Sequence, residues 1–242
     1  MSWRIFEPAA AGYEAWYATR GGRRADVAER KLLLRLLEPF QDAHSAIEIG
    51  CGTGHFTAFL ARQGVVTIGL DRAKAMLSEG RRLFPLLPVV LGDAHQMPFR
   101  NGSADLAVFV TTLEFLEDPV LALREAVRVV RRGVVAITLN RYSLGGLSRR
   151  WGPQSRGALL GQARDYSLAE LQLGLSRAAD ARLDGEWSAS TLFPDGLFKA
   201  VSHIPLGDVV GAAIRLKPEQ AVGRKPASQC GRDSSLRGTH SE

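Results

Sequence analysis

Residues Glu48-Ile-Gly50-Cys-Gly52-Thr-Gly54 constrain this 242-residue chain more than any other stretch. They follow a short apolar run, residues 46–49, and precede a helical stripe of Phe56, Leu60 and Ala61 that ends near Gly64. A strand buried on both faces reads as such an unbroken apolar run. Glycines between a strand of this kind and a helix permit a tight turn and let a ligand approach the backbone. The helix N-terminus adds amides free to meet that ligand. The dinucleotide fingerprint would need a third glycine at position 55. That position is His55, and the glycines instead alternate at 50, 52 and 54.

The strand–helix alternation continues downstream. Residues 65–70, 89–91, 106–110 and 134–139 read as further strands, the fourth of the series opened by Asp105. A helix over residues 74–84 is closed by Pro85. Another starts at Pro119, carries Val120, Leu123, Ala126, Val127 and Val130 on one face, and ends at Gly133. Ser167 caps a helix running to about Leu175, and two last strands are expected near 185–193 and 209–216. Strands and helices alternating over short connections predict an α/β, doubly wound parallel sheet with its ligand outside the carboxyl ends of the strands. Asp71 tips the second strand about 20 residues after the first glycine, the place of a ribose-binding carboxylate. Asp93 and Ala94 follow the third strand, where a carboxylate and a neighbouring amide can read an adenine edge.

Residues 1–40 read as an N-terminal cap segment. Tyr13, Trp16 and Tyr17 precede a flexible Gly21-Gly22 pair, and Asp26 caps a helix carrying Val27, Leu32, Leu33, Leu36 and Leu37. Residues 41–216 form the main domain. Within them 141–166, glycine-rich and without a clean period, read as a mobile substrate-side insertion, a candidate lid. Residues 217–242 are poor in apolar side chains and predict a disordered tail. Hydrophobic residues at 45% and charged ones at 23% exclude a disordered or fibrous chain. The net charge is +6, but six basic against three acidic residues lie from Arg215 onward, so half of it falls in or beside the tail. A nucleic-acid partner is therefore not expected from charge alone. Cys51 and Cys230 alone make neither a disulfide framework nor a zinc site, and no metal ligand set is expected. The start lacks the apolar stretch of a secretory signal, and no apolar run reaches membrane-spanning length, which together predict a cytoplasmic protein.

The segments Ala46-Ile-Glu-Ile-Gly-Cys-Gly-Thr-Gly-His-Phe56, Gly69-Leu-Asp71, Gly92-Asp-Ala94, Met97-Pro-Phe99 and Leu123-Arg-Glu-Ala-Val-Arg-Val-Val-Arg131, with Leu-Glu-Phe-Leu-Glu-Asp-Pro119, resemble a class I S-adenosylmethionine-dependent methyltransferase of the small-molecule type. The resemblance covers roughly residues 40 to 140. It implies a Rossmann-like, mostly parallel seven-stranded sheet with S-adenosylmethionine as cofactor. Gly50, Cys51, Gly52 and Gly54 would cradle its methionine part, and Glu48 would support that loop or the amino group. Asp71, beside Arg72, would bind the ribose hydroxyls, Asp93 and Ala94 would contact adenine, and Thr111 would lie beside the sulfonium. Tyr13 or Tyr17 would close over the cofactor. The chain departs from the family at Arg131-Arg-Gly133-Val, where Pro-Gly-Gly is usual.

A sulfonium is a good leaving group, so methyl transfer needs an aligned nucleophile and a dry site more than a catalytic dyad. Glu114, just past the fourth strand, is the candidate base; as a helix-start carboxylate favoured by the dipole it needs no catalytic role. His55 reads as a packing or capping residue. Asn140 and Arg141 either face substrate or sit in an ordinary loop. The Asn/Asp-Pro-Pro-Tyr/Phe segment of amino-methylating nucleic-acid enzymes is absent, Cys51 is unsuited to cytosine chemistry, and Glu114, Glu117 and Asp118 do not form a metal-binding catechol-type cluster. Methyl transfer to an O, N or C nucleophile of a small molecule is the expectation. The alternative is an RNA-associated methyltransferase or adaptor using Arg141, Arg149, Arg150, Arg156, Arg164, Trp151 and the tail. A catalytically silent cofactor-binding subunit is a third reading.

Overall fold

The computed structural model describes residues 2–143, 159–191, 201–202 and 207–218. Eight strands form one sheet in the order β3-β2-β1-β4-β5-β8-β6-β7. They are β1 Ser45–Ile49, β2 Val66–Asp71, β3 Val89–Leu91, β4 Ala104–Val110, β5 Val130–Leu139, β6 Leu183–Thr191, β7 Val201–Ser202 and β8 Val209–Leu216. β3, β2, β1, β4 and β5 pair in parallel; β8 runs antiparallel between β5 and β6. The doubly wound, mostly parallel sheet expected from the alternation is present, with the two-residue β7 added at its edge.

Side chains alternate between two cores, as the strand period of two demands. Ile47, Ala107, Phe109, Val134 and Ala136 face one side; Ala46, Leu106, Val108, Val110, Val135 and Ile137 face the other. The first side is covered by α5 (Pro119–Val129) and α6 (Leu168–Ala179), through Leu123, Ala126, Leu171 and Leu175. The second is covered by α2 (Arg20–Leu37) and α3 (His55–Arg62), through Leu32, Leu33, Leu36, Phe56, Phe59 and Leu60. Every residue of β4 is buried, which is why its sequence shows no polar alternation beyond Asp105. Asp105 is itself a staple. Its carboxylate accepts the amides of His44 at 3.0 Å and Ser45 at 3.1 Å and the Ser45 hydroxyl at 2.9 Å, tying the start of β4 to that of β1. Burial works against its charge, yet these donors and Arg131 hold its carboxyl at about 2.

Three local expectations are corrected. Asp26 does not cap the second helix: α2 begins at Arg20, Thr19 is its cap, and the Thr19 hydroxyl accepts the Gly22 amide at 3.0 Å. The Gly21-Gly22 pair is helical rather than a hinge. A Cβ at Gly22 would stand 2.0 Å from the Trp16 carbonyl oxygen, so this glycine lets α2 turn tightly off α1 (Ala10–Tyr17). Gly133 does not end α5. The helix stops at Val129, the chain enters β5 at once, and Gly133 lies inside that strand opposite Leu106 and Arg215. The missing Pro-Gly-Gly turn is thus replaced by no turn at all. Elsewhere α6 runs past Leu175 because Ala178 and Ala179 continue its buried face, and Ser167 with Glu170 forms the capping box at its start. Of the expected insertion, residues 144–158 lie outside the described residues, as does the expected disordered tail from residue 219.

Candidate cofactor-binding site

β1 and β2 are neighbours in the sheet, so the loop leaving β1 and the acid tipping β2 meet at its carboxyl edge. Gly50, Gly52 and Gly54 have φ of +72°, +55° and +87°, a region where a Cβ is strained. The amides of Gly50 and Cys51 both donate to the Leu70 carbonyl, at 2.7 and 3.0 Å. The Gly52 amide donates to Asp71 Oδ2 at 2.7 Å, and Ala73 N–H donates to Oδ1 at 2.7 Å. A Cβ at Gly50 would lie 2.2 Å from the Thr112 methyl, so the loop also needs this glycine for its close pass under β4.

The loop and Asp71 border one cavity of about 950 Å³ including its mouth. Its floor comes from the strand ends: Glu48, Gly50, Cys51, Gly52, Asp71, Arg72, Asp93, Ala94 and His95, then Val110, Thr111 and Thr112. Phe115, Leu116 and Glu117 close one flank, and Trp3, Phe6, Tyr13 and Tyr17 reach in from the N-terminal segment. Thr111 carries a positive φ of 48° at the end of β4, where its amide donates to the Ile137 carbonyl at 2.9 Å.

The acids differ in state. Burial pushes the Glu48 carboxyl up to about 8, although the Thr57 hydroxyl donates to it. Burial also raises Asp71, opposed by its amide donors, and it raises the Cys51 thiol further. Asp93 is the exception. Burial would raise it, but the His95 amide (2.9 Å) and ring Nδ1 (2.7 Å), with Arg72 at 2.9 Å, hold it below the usual carboxylate range. Burial thus disfavours charge on Glu48 at the Gly50 end of the site, while the donors around Asp93 favour it at the other end.

The expected site residues divide accordingly. Glu48, Gly50, Cys51, Gly52, Asp71, Arg72, Asp93, Ala94, Thr111 and Tyr17 all line the cavity. Gly54 does not; it is the left-handed residue before α3. Glu114 does not either. It is buried and its Oε1 accepts the Leu139 amide at 2.6 Å, which ties it to β5 rather than to the cavity. Asn140 is buried and donates to the Gly207 carbonyl at 2.8 Å, while Arg141 pairs with Glu170 at 2.9 Å, so neither reaches the cavity. His55 does line it, as the first residue of α3.

Trp3, Phe6, Glu7, Glu14 and Glu29 were not anticipated. Glu7 accepts the Lys74 and Ala75 amides at 2.9 and 3.1 Å, capping α4 (Lys74–Leu83), whose own Ala73 offers no side-chain cap. Burial, with Glu114 nearby, pushes the Glu29 carboxyl up to about 8. These contacts join residues far apart in the chain, and no local motif announces them. Among the described residues no cluster of His, Cys, Asp and Glu is arranged to hold a metal ion, and no helix is long and apolar enough to cross a membrane.

Residues 47–138 match the family model described as a methyltransferase domain. The chain is 31% identical over 148 residues to a malonyl-acyl-carrier protein O-methyltransferase of Serratia marcescens, covering 60% of this chain and 55% of that one. It is 37% identical over 87 residues to a demethylmenaquinone methyltransferase of Beutenbergia cavernae, covering 36% of each. It thus spans about half or less of the length of these curated relatives. Among solved structures, a SAM-dependent methyltransferase of Thermotoga maritima, named as a possible histamine N-methyltransferase, superposes with a TM-score of 0.75 at 26% identity. That match covers 89% of this chain and 99% of the other. With the sheet order, the glycine loop joined to Asp71 and the cavity they border, these likenesses make the region around residues 47–138 a class I S-adenosylmethionine-dependent methyltransferase domain.

Proposed function

We propose that the chain transfers a methyl group from S-adenosylmethionine to an O, N or C nucleophile of a small molecule. The observation that carries this reading is the 2.7 Å hydrogen bond from Gly52 to Asp71 at the edge of a common cavity. It sets a glycine loop that lets a ligand approach the backbone beside a two-oxygen acceptor for hydroxyls, the pairing that a methionyl group and a ribose require. The residues fit the cofactor in another respect: a side chain at Gly50 or Gly52 would be strained and would crowd Thr112 or Met76.

In this reading Asp71 accepts the ribose hydroxyls, Arg72, Asp93 and Ala94 take the adenine end, and Gly50, Cys51, Gly52 and Glu48 hold the methionine end. Gly54 shapes the loop, and Tyr17 closes over it. When bound, S-adenosylmethionine supplies an electrophilic methyl on a positively charged sulfur. Thr111, held in its strained conformation at the end of β4, positions backbone beside that end. Phe6, Phe115 and Leu116 exclude water from the acceptor side, which strengthens every electrostatic contact there. Glu48 is poised to ionise when a cation arrives, because a neighbouring positive charge lowers a carboxyl raised by burial. Glu114 is not used as a base here, since its Oε1 is engaged by the β5 backbone.

A small acceptor is supported by the names of two of these proteins, a demethylmenaquinone methyltransferase and a possible histamine N-methyltransferase, while the third is named for a malonyl group carried on a protein. Titration calorimetry with S-adenosylmethionine and S-adenosylhomocysteine tests the reading. Saturable binding that Asp71→Ala weakens at least about 100-fold, or about 2.7 kcal/mol, is expected. A folded chain that binds neither ligand overturns it.

A further inference from the structure

The N-terminal segment reaches over the cavity, and one of its ties runs to a histidine. His55 belongs to the floor, and of its ring's carboxylate partners one, Glu14, comes from α1 of the cover and the other, Asp26, from α2. Its Nδ1 faces Glu14 Oε2 at 3.2 Å, and its Nε2 faces Asp26 Oδ1 at 2.8 Å. The ring stacks on Tyr17 with centroids 3.8 Å apart and planes 3° from parallel. Glu14 also accepts the hydroxyl of Thr53 from the glycine loop. One carboxylate of α1 therefore holds both the loop and the first residue of α3.

The ring has two ways to satisfy these neighbours. Protonated, it donates Nδ1–H to Glu14 and Nε2–H to Asp26, two charge-assisted bonds. Neutral, with its proton kept on Nδ1, it still donates to Glu14 but without the cation's charge, and it offers Nε2 as an acceptor to Arg30 Nη2, which stands 2.9 Å away. Arg30 is in turn bound to Asp26 through Nε at 2.6 Å. The charged groups facing the ring are thus Glu14 on α1, Asp26 and Arg30 on α2, and Glu48 on β1, with the Tyr17 phenol ring against its face.

We propose that His55 is a proton-operated clasp: charged, it holds α1 closed over the cavity through a charge-assisted bond to Glu14 while Asp26 of α2 anchors the other side of its ring, and neutral, it holds Glu14 more weakly and lets α1 loosen so that the cofactor enters and leaves. The clasp rests on the reading of the cavity as a cofactor site. Burial of the ring disfavours the charge, but hydrogen bonds to Glu14 and Asp26 outweigh it and raise the imidazole above its ordinary value. A raised cation pKa stabilises the closed form fully below the open-state value, about 6.5, and this gain is lost as pH rises through the closed-state value. On the acid side, burial would raise Glu14, but its bonds to His55 and Thr53 hold it below the usual range. The acid limit therefore lies well below neutrality, and opening is least at mildly acidic pH.

Hydrogen exchange on the full chain without cofactor, at pH 6 and pH 8.5 and corrected for intrinsic rates, tests the clasp. The amides of Ala10–Tyr17 are expected to open several-fold more often at the higher pH, while those of β4 do not change. His55→Gln and Glu14→Gln should each abolish the difference; the second variant decides if the first does not fold. Dissociation of S-adenosylhomocysteine, followed by the fluorescence of Trp3 and Trp16, should quicken along the same pH profile and lose it in both variants. A pH-independent α1, or a pH dependence that survives in Glu14→Gln, overturns the clasp. Failure of S-adenosylhomocysteine to bind removes the cofactor reading, and the exchange result still decides the clasp.

Discussion

The floor and the cover of the cavity are built by different physics. The floor is backbone: alternate glycines, amides aimed at a carbonyl and a carboxylate, and strand ends set side by side by the sheet order. The cover is side chains: Glu7 on the α4 amides, Glu14 on His55, Trp3 against Arg72 at 5.4 Å, and Phe6 edge-on to Phe115 at 4.9 Å. A floor of this kind cannot change without strain. A cover of this kind can detach, because each tie exchanges with water at small net cost. The molecule thus keeps a fixed cradle under a releasable roof, an arrangement suited to a ligand that must be enclosed for reaction and released afterwards.

That contrast can be broken by substitution. Leu32→Ala removes a fully buried side chain between α2 and the sheet and should lower stability by about 2–5 kcal/mol in urea melts; a loss under about 1 kcal/mol would mean α2 belongs to the releasable cover. Gly50→Ala should cost about 2–3 kcal/mol, since the added methyl meets Thr112 in a left-handed backbone, and a neutral result would show the floor to be adaptable. Asp105→Asn should cost about 1–3 kcal/mol at pH 7. Because the folded-state carboxyl sits at about 2, below its unfolded value, this contribution is full above about pH 4 and lost as pH falls toward 2. The variant's melting curve should therefore approach the parent's in acid, and a constant gap across that range would contradict the staple. Tyr17→Ala should move the melting temperature least of all while speeding ligand release, since the ring packs on His55 at the cavity rather than in either main core. A large fall in melting temperature would place Tyr17 with the floor.

The same division explains what could be read in the sequence. The floor was legible because its requirements are local and restrict residue type: glycine where φ is positive, an acid at a strand end, apolar runs for strands buried on both faces. Gly50, Gly52, Asp71 and Asp93 fall on one cavity for that reason. The cover was not legible, since a glutamate at position 14 has no local signature distinguishing a ligand of His55 from a solvated side chain. Asp26 misled for the same reason. It has the residue type of a helix cap, but the close pass of Gly22 against Trp16 let α2 begin earlier and left Asp26 inside the helix. Glu114 carried the right position in sequence for a base, yet the 3₁₀ turn of Leu113–Phe115 directs it toward β5. Gly133 shows the reverse error, a glycine read as a helix stop that the sheet uses for close strand packing.

If the chain binds S-adenosylmethionine, the loop and Asp71 must share that one ligand, and a crystal structure grown with S-adenosylhomocysteine tests this most directly. The prediction is that both ribose hydroxyls lie against the Asp71 carboxylate with the amino-acid part over Gly50 and Gly52. A ligand seated elsewhere, or one touching the glycine loop with Asp71 facing away from it, would contradict the assignment.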